Sequence, residues 1–334
     1  MNKVFQNTIE ISKLQKNKSL QEIENYNEKH IISKIVDFKT TEKSIKTSII
    51  FSTSKGVFIL DTRNNICKQI LKGKFYGITK HNDFFFFARL GTNGKRDFPI
   101  NDRVSEICYA KIVDYNITNL KIALYGIPAE IHQIENLAGS LIFPHTGYNQ
   151  VLSINFERIY NSNKPLQINS CKSIELELNQ HSHLNSVFYK NEKIYLIAHN
   201  YTMKTNKLSD LIIYDTKTKM QKLINLNAHS AHNIYINEKN ERVYCDSNNK
   251  KLIKNKKVIF ETDKLLRGLS ITEKNIFVGG SDICFNDYKR FSSNSSIYVL
   301  DKDGNLQTEF IFDEIGDIYE IRQLDEKELS IIQN

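Results

Sequence analysis

Hydrophobic and polar residues alternate over short segments along most of the chain. Runs of about four to eight residues, such as SIIFST, GVFILD and SIYVLD, are rich in β-branched and aromatic side chains and are separated by Asn, Asp, Gly and Lys turns. Only the first thirty residues differ, because Ile11, Leu14, Leu20 and Ile23 recur there at loosely helical intervals. We therefore predict an all-β protein with a short helical or irregular lead-in over residues 1–30.

Two motifs recur along the chain. In the first, an apolar strand ends in Asp and turns back into a second strand, as at Asp61, Asp215 and Asp301. In the second, two strands are joined by a polar turn, and the six copies share one aligned position. The residues at this position are Tyr76, His132, His183, His232, Arg267 and Tyr319. They are 56, 51, 49, 35 and 52 residues apart, which is the length of a four-stranded antiparallel blade, trimmed in one case.

The two ends of the chain complement each other. The last copy of the second motif, GDIYEIRQLDEKELSII, has no hairpin after it, whereas the first hairpin, SIIFSTSKGVFILDTRNNICKQIL, has no such copy before it. A ring closed by strands from both termini removes the unpaired edges of an open sheet. We predict a six-bladed β-propeller over residues 31–334, closed in this way. A pair of β-sandwiches is the alternative, but it does not account for six aligned copies.

The aligned residues of the second motif are candidates for a metal site. The innermost strand of each propeller blade lines a central channel, so we expect these six side chains to converge at one mouth of the channel. Three consecutive blades offer His132, His183 and His232, which is the pattern of a three-histidine site for a divalent metal such as Zn, Mn or Fe. The alternative is that each histidine is an ordinary turn or hydrogen-bonding residue, but the shared register favours a metal.

Other polar residues are expected around this metal. Arg267 is suited to holding a substrate carboxylate or phosphate, and Tyr76 or Tyr319 to moving a proton. Their structural alternatives are an internal arginine contact and aromatic residues that line the channel. Candidates for a fourth ligand or a supporting contact are His145, His199 and Asn185. Glu320 should point away from the axis unless its strand begins with a bulge.

Composition narrows the range of functions. The chain is 40% hydrophobic and 25% charged, and no segment approaches the roughly 18 consecutive apolar residues of a membrane span. The net charge is +8, but lysine is scattered, so we expect no nucleic-acid partner. The five cysteines are far apart and the N-terminus lacks the apolar core of a signal peptide, so we expect a cytoplasmic protein with no membrane partner. Nucleotide-binding glycine loops and a nucleophile elbow are absent from the sequence.

The blade pattern over roughly residues 31 to 334 resembles the six-bladed propellers of the NHL and gluconolactonase-like superfamily. The histidine, arginine and tyrosine set resembles that of peptidyl-hydroxyglycine lyases, and it is similar to the histidine–metal sites of propeller polysaccharide lyases. This resemblance implies ligands at the three aligned histidines, a substrate anchor at Arg267, and a proton-transfer residue at Tyr76 or Tyr319. The chain departs from those families because it lacks a secretion signal and disulfide spacing. It also lacks the carboxylate and Asn ligands of gluconolactonases at its axial positions.

The sequence thus predicts a metal-dependent enzyme that acts on a small, oxygen-rich, anionic substrate such as a sugar acid or an activated sugar. Lyase, epimerase and hydrolase chemistry share a first step of polarisation and proton transfer, so all three stay open. The alternative is a non-catalytic propeller that binds a protein partner and whose channel residues act as a plug. A third possibility is an iron oxygenase with four histidines, in which His145 or His199 is the fourth.

Overall fold

The computed structural model of the chain describes residues 29–42, 45–90, 104–128, 130–178, 182–200, 202–283 and 290–324. These residues form 27 β-strands, two short helices, α1 (Phe156–Tyr160) and α2 (Thr202–Thr205), and a single 3₁₀ turn at Ile168–Ser170. The predicted all-β class is confirmed. Residues 1–28, which hold most of the predicted lead-in, lie outside the described residues.

The strands form six sheets, which we call blades 1 to 6, and each is given from its innermost strand outwards. Blade 1 contains β27 (Ile318–Gln323), β3 (Ser48–Thr53), β4 (Gly56–Asp61), β5 (Ile66–Lys72) and β1 (Ile31–Ile35). Blade 2 contains β6 (Phe75–His81), β7 (Phe84–Leu90), β8 (Val104–Val113), β9 (Asn116–Pro128) and the short parallel strand β13 (Leu166–Gln167). Blade 3 contains β10 (Glu135–Leu137), β11 (Ser140–His145), β12 (Gln150–Asn155) and β14 (Lys172–Glu175).

The other three blades follow along the chain. Blade 4 contains β15 (Leu184–Lys190), β16 (Lys193–Ala198), β17 (Asp210–Asp215) and β18 (Gln221–Asn225). Blade 5 contains β19 (Ala231–Ile236), β20 (Arg242–Asp246), β21 (Lys251–Lys254) and β22 (Lys257–Glu261). Blade 6 contains β23 (Leu265–Ile271), β24 (Ile276–Ser281), β25 (Ser295–Leu300), β26 (Leu306–Phe312) and β2 (Lys39–Thr40). The predicted six-bladed propeller is confirmed.

Strands from both ends of the chain close the ring. β27, near the C-terminus, is the innermost strand of blade 1 and pairs with β3, where Ile318 lies opposite Thr53. β2, near the N-terminus, pairs with β26 at the outside of blade 6, where Lys39 lies opposite Ile311. The predicted closure is therefore confirmed, and β2 adds a second crossing that the sequence pattern did not indicate.

Apolar side chains from neighbouring blades pack against each other around the ring. At the junction of blades 6 and 1, the ring of Phe51 lies 5.2 Å from that of Phe58 and 5.6 Å from that of Phe312. Ile318 is fully buried in the same cluster. β3 and β4 are buried at every position, and for this reason they form nearly continuous apolar runs instead of alternating ones.

The hairpins that end in Asp have a common local cause. The carboxylate of Asp215 accepts hydrogen bonds from the backbone N–H groups of Lys217 and Thr218, at 3.0 and 2.9 Å. Asp301 likewise accepts from the backbone of Asp303 and Asn305, both at 2.9 Å. Side-chain capping of this kind stabilises a tight turn, and this explains why the motif recurs with Asp at its corner.

Four of the five cysteines lie in the described residues. Cys67, Cys108, Cys171 and Cys245 are free thiols, and burial raises the pKa of Cys108 to about 11. The fifth cysteine, Cys284, lies outside the described residues. In the described part of the chain, every helix is too short or too polar to cross a membrane.

Candidate functional site at the channel mouth

The six aligned residues all lie where their chain segments enter the channel. Tyr76, His232 and Tyr319 are the second residues of their strands, and Arg267 is the third residue of β23. His183 comes directly before β15. The sixth residue, His132 on blade 3, comes before β10, a strand of only three residues.

His132 depends on a close backbone approach between two blades. It precedes β10 by three residues, and its carbonyl group lies against Gly77 of β6. A Cβ atom at Gly77 would lie 2.6 Å from the carbonyl oxygen of His132 and 2.6 Å from the backbone nitrogen of Ile134. Any other residue at position 77 would push this segment of blade 3 away from the axis.

Aromatic contacts join one half of the channel mouth. The rings of Tyr319 and Tyr76 are 4.7 Å apart between centroids, and those of Tyr76 and His132 are also 4.7 Å apart. The next ring is that of His183, 5.3 Å from His132. The predicted convergence of these four blades is therefore present in the structure.

His199 completes the other half. Its ring lies 5.1 Å from that of His183 and 5.2 Å from that of His232. Arg267 contacts His232 through a hydrogen bond, and its guanidinium carbon lies 5.5 Å from the centre of the Tyr319 ring. Seven side chains thus form a closed circle of contacts, which we call the axial ring: Tyr76, His132, His183, His199, His232, Arg267 and Tyr319.

Of the candidates for an additional histidine, the structure brings His199 to the axial ring and leaves His145 apart. The backbone N–H of His199 donates to the carbonyl oxygen of His183 at 3.2 Å, which holds the two residues side by side. His145 is buried elsewhere in blade 3: its Nε2 lies 2.8 Å from the carbonyl oxygen of Pro128, and its Nδ1 lies 3.4 Å from Gln150. The fourth histidine of the cluster is therefore His199.

Burial favours the neutral form of three histidines of the axial ring, His132, His199 and His232. Burial, followed by the charges of Arg267 and His132, lowers the pKa of His199 to about 3. Burial and then Arg267 hold the pKa of His232 well below its ordinary value. Burial also lowers the pKa of His132, and Glu130 only partly offsets this effect. Neutral imidazoles carry the lone pairs that a metal ligand or a general base needs.

The Nε2 lone pair of His232 already accepts a hydrogen bond. A guanidinium nitrogen of Arg267 donates a hydrogen bond to Nε2 of His232, while Nδ1 of His232 lies 2.7 Å from the carbonyl oxygen of Ser230 and 2.9 Å from Oγ of Ser247. The donor set suits a transition metal chemically, but its nitrogens do not surround a common point. Among the described residues, no three His, Cys, Asp or Glu side chains are arranged to hold a metal ion. The three-histidine metal site and its cofactor stay predictions.

Three axial residues are each preceded, two positions earlier, by a charged residue. Glu130 precedes His132, and its carboxylate lies 3.4 Å from Nε2 of that histidine. Lys74 precedes Tyr76, and Asp317 precedes Tyr319. All three charged side chains are buried. Sequence reasoning missed them, and the signal that could have found them is their common spacing, two residues before an aligned position.

A β-bulge recurs where the innermost strands begin. The pairing register shifts there in β6, β15, β19, β23 and β27. Because a bulge redirects a side chain, consecutive residues can both face the channel. His232 and Asn233 do so, as do Tyr319 and Glu320. From the sequence, Glu320 should point away from the axis unless its strand begins with a bulge. The strand does begin with a bulge, and the Glu320 side chain lines the cavity.

The bulged residues form a hydrogen-bonded layer beneath the axial ring. The amide of Asn233 donates to the carboxyl group of Glu320 at 3.2 Å and accepts from the backbone N–H of Gly268 at 2.8 Å. Burial, followed by the carboxylate of Glu135, raises the pKa of Glu320 well above its ordinary range. The folded environment of Glu320 therefore favours the protonated, uncharged form of its carboxyl group.

Asn185 belongs to this layer as a structural tie. Its amide donates to the carbonyl oxygen of Ala231 at 3.0 Å, and its own carbonyl accepts from Oγ of Ser186 at 2.8 Å. Ser186 in turn accepts from the backbone N–H of Asn233 at 2.8 Å. The predicted role of Asn185 as a ligand or supporting contact at the metal site stays a prediction, and in the structure its amide links blade 4 to blade 5.

The space enclosed by the two layers is small. Its free volume is about 10 Å³, which suffices for one water molecule or one metal ion. It is lined by Tyr76, His132, Gln133, Asn185, Ser186, His232, Asn233, Arg267, Tyr319 and Glu320.

Comparisons with known proteins support the architecture. No family model matches the sequence, and no curated protein matches it. Among solved structures, a chain of a nidogen/laminin complex aligns with a TM-score of 0.58 at 9% identity, covering 83% of this chain and 98% of that chain. A protein of unknown function from Bacteroides caccae aligns with a TM-score of 0.54 at 8% identity, covering 84% of this chain and 100% of that chain.

A third neighbour comes from Bacteroides fragilis and is provisionally named a 6-phosphogluconolactonase. It aligns with a TM-score of 0.50 at 11% identity, covering 85% of this chain and 99% of that chain. Likeness at such low identity shows the propeller fold and leaves the chemistry to the site itself.

Proposed function

We propose that the channel mouth is the active site of an enzyme that binds a divalent transition metal and acts on a small, oxygen-rich, anionic substrate such as a sugar acid. One observation carries the proposal: four imidazoles, those of His132, His183, His199 and His232, are in continuous contact beside the guanidinium of Arg267. Neutral histidine is the commonest metal ligand in proteins.

The donor set favours some metals over others. An all-imidazole set suits Zn or Fe better than Mn, which prefers oxygen ligands. A bound ion of this kind would polarise a carbonyl or carboxylate of the substrate. In this proposal the metal binds His132, His183 and His199, and Arg267 does not have to move. Binding to His232 would require Arg267 to release Nε2 of that histidine.

Proton transfer in this proposal belongs to residues that contact the histidines. Glu130 lies 3.4 Å from Nε2 of His132 and orients the imidazole ring, as carboxylates commonly do for functional histidines. Tyr76 lies against the other side of His132, with ring centroids 4.7 Å apart. The phenol of Tyr76 is therefore the group we expect to give or take a proton at the substrate. Lyase, epimerase and hydrolase reactions all use such a step.

Metal analysis of the purified protein tests the proposal. After growth with added Zn or Fe, we expect about one metal ion per chain in the wild type and a loss of most of it in His183→Gln. His145→Gln is the matched control, because His145 is equally buried but bonds to Pro128 and Gln150 instead of the axial ring. Full occupancy in His183→Gln would refute the ligand assignment, and a metal-free wild type would refute the metal proposal.

A second candidate function is a non-catalytic propeller whose axial ring plugs the channel and whose outer face binds a protein. The small free volume, about 10 Å³, favours it. In that case, the wild type is metal-free, and His183→Gln lowers the thermal stability without changing the metal content.

A further inference from the structure

Basic side chains gather around the two tyrosines of the axial ring. Nζ of Lys74 lies 5.1 Å from the centre of the Tyr76 ring and 5.7 Å from that of Tyr319. The guanidinium of Arg267 lies 5.5 Å from the Tyr319 ring. The two tyrosine rings are themselves only 4.7 Å apart. Two cations therefore flank one aromatic pair at the channel mouth, in a geometry favourable for cation–π contact.

Arg290 adds a third cation through Asp317. Nε of Arg290 lies 3.6 Å from the Asp317 carboxylate, which is almost fully buried. Burial raises the pKa of Asp317, while the charge of Arg290, a hydrogen bond with Ser293, and the charges of Arg267 and Lys74, in this order, act to lower it. The charges of all three basic residues therefore reach the same carboxylate. The other carboxylate at this mouth, that of Glu130, lies beside His132.

Placing several positive charges close together costs free energy where water has little access. Lys74 has 7% of its surface exposed, and Arg290 has 28% of its side chain exposed. Partly buried cations repel one another and lose hydration, and an incoming anion offsets both effects. Guanidinium groups also present paired N–H donors that match the oxygen atoms of carboxylate and phosphate. These observations identify an oxyanion as the fitting ligand.

We infer that Lys74, Arg267 and Arg290, together with the Tyr76–Tyr319 pair, form a subsite for an oxyanion group, either phosphate or carboxylate, of the substrate. The inference deepens the proposed function and rests on it for the identity of the site as an active site, but anion binding here needs no metal. Lys74 and Arg290 are the new residues in this assignment, because the sequence indicated only Arg267.

Calorimetric titration with inorganic phosphate and with gluconate tests this subsite. We expect Lys74→Met and Arg290→Gln each to weaken binding of the preferred probe about tenfold, which is typical of a lost charged contact. Asp317→Asn should strengthen binding, because it removes the negative charge that competes with the ligand. Opposite signs at neighbouring positions separate a charge effect from simple damage to the fold. Lys190→Met is the matched control, since this partly buried lysine pairs with Glu238 at 2.9 Å.

The relative affinities for the two probes identify the group that the subsite binds. Tighter binding of phosphate assigns the subsite to a phosphate group, and tighter binding of gluconate assigns it to a carboxylate. Failure of both probes to bind, or wild-type affinity in Lys74→Met and Arg290→Gln, overturns the inference. Metal content is measured on the same samples. A metal-free wild type that still binds phosphate through Lys74 would refute the proposed metal site and leave the oxyanion subsite standing.

Discussion

Arg267 donates a hydrogen bond to Nε2 of His232, across the boundary between blades 6 and 5. Nδ1 of the same imidazole lies 2.7 Å from the carbonyl oxygen of Ser230. His232 is therefore held as the neutral tautomer with its proton on Nδ1. The lone pair that a metal would use is directed at a cation, so Arg267 and a metal ion compete for His232.

Replacing Arg267 tests this competition. Because Arg267→Met removes both the occupied hydrogen bond and a nearby positive charge, we expect it to bind Zn²⁺ about tenfold more tightly than the wild type. Titration against a coloured chelator measures the change. Arg242→Met, in β20 of blade 5, is the control and should bind Zn²⁺ like the wild type. Weaker metal binding in Arg267→Met would show that Arg267 supports the metal site instead of competing with it.

Glu320 should make the protein less stable as the pH rises. Its pKa is raised in the folded state, so above its unfolded pKa the folded protein binds the additional proton, and the free energy of unfolding falls with increasing pH. The slope is at most about 1.4 kcal/mol per pH unit for one group. Glu320→Gln keeps an acceptor for Asn233 and removes the ionisation. Urea unfolding at pH 6 and pH 8.5 should therefore show a smaller loss for Glu320→Gln than for the wild type, and equal losses would contradict a protonated Glu320.

Buried histidines should produce the opposite dependence at acid pH. Burial lowers the pKa of His145 to about 4, and burial with Arg267 lowers that of His199 to about 3. The unfolded chain takes up protons near pH 6.5 while the folded protein does not, so the free energy of unfolding falls as the pH drops from about 6.5 toward 4. His145→Gln should flatten this fall, as measured by urea unfolding at pH 7 and pH 5. An unchanged slope would mean that His145 is not held neutral.

The closure strand β27 should be more sensitive to truncation of an apolar side chain than the exposed outer strand β1. Ile318 of β27 is fully buried, and Ile318→Ala should lower the free energy of unfolding by about 2–5 kcal/mol. Ile35 of β1 is 62% exposed, so Ile35→Ala should change it by less than about 0.5 kcal/mol. Chemical denaturation of both variants measures the difference. Similar losses in the two variants would show that the closure does not carry the stability.

The fold was predictable because its signals are local and repeated. An apolar strand that ends in Asp needs only the turn bonds seen at Asp215 and Asp301, and six copies of one register imply six blades. The missing partner strands at the two ends imply closure. The same register brought Tyr76, His132 and Tyr319 together at one mouth. The same alignment could have found Lys74, Glu130 and Asp317, because each lies two residues before an aligned position.

Other parts of the site were beyond local patterns. His145 and His199 stand at similar places at the ends of second strands, yet only His199 is held beside His183 by a backbone hydrogen bond between the strands. Glu320 faces the channel because of a bulge in the pairing of its strand, β27, with β3.

By itself, therefore, the sequence determined the number of blades, their closure and the residue types that face the axis, because strand periodicity and repetition are written into neighbouring residues. Only the tertiary structure decided that His199 joins the ring, that Arg267 engages His232, that Lys74 lies beside the tyrosines, and that Arg290 pairs with Asp317. These relationships depend on bulges, contacts between blades and competition among side chains that are distant in the chain.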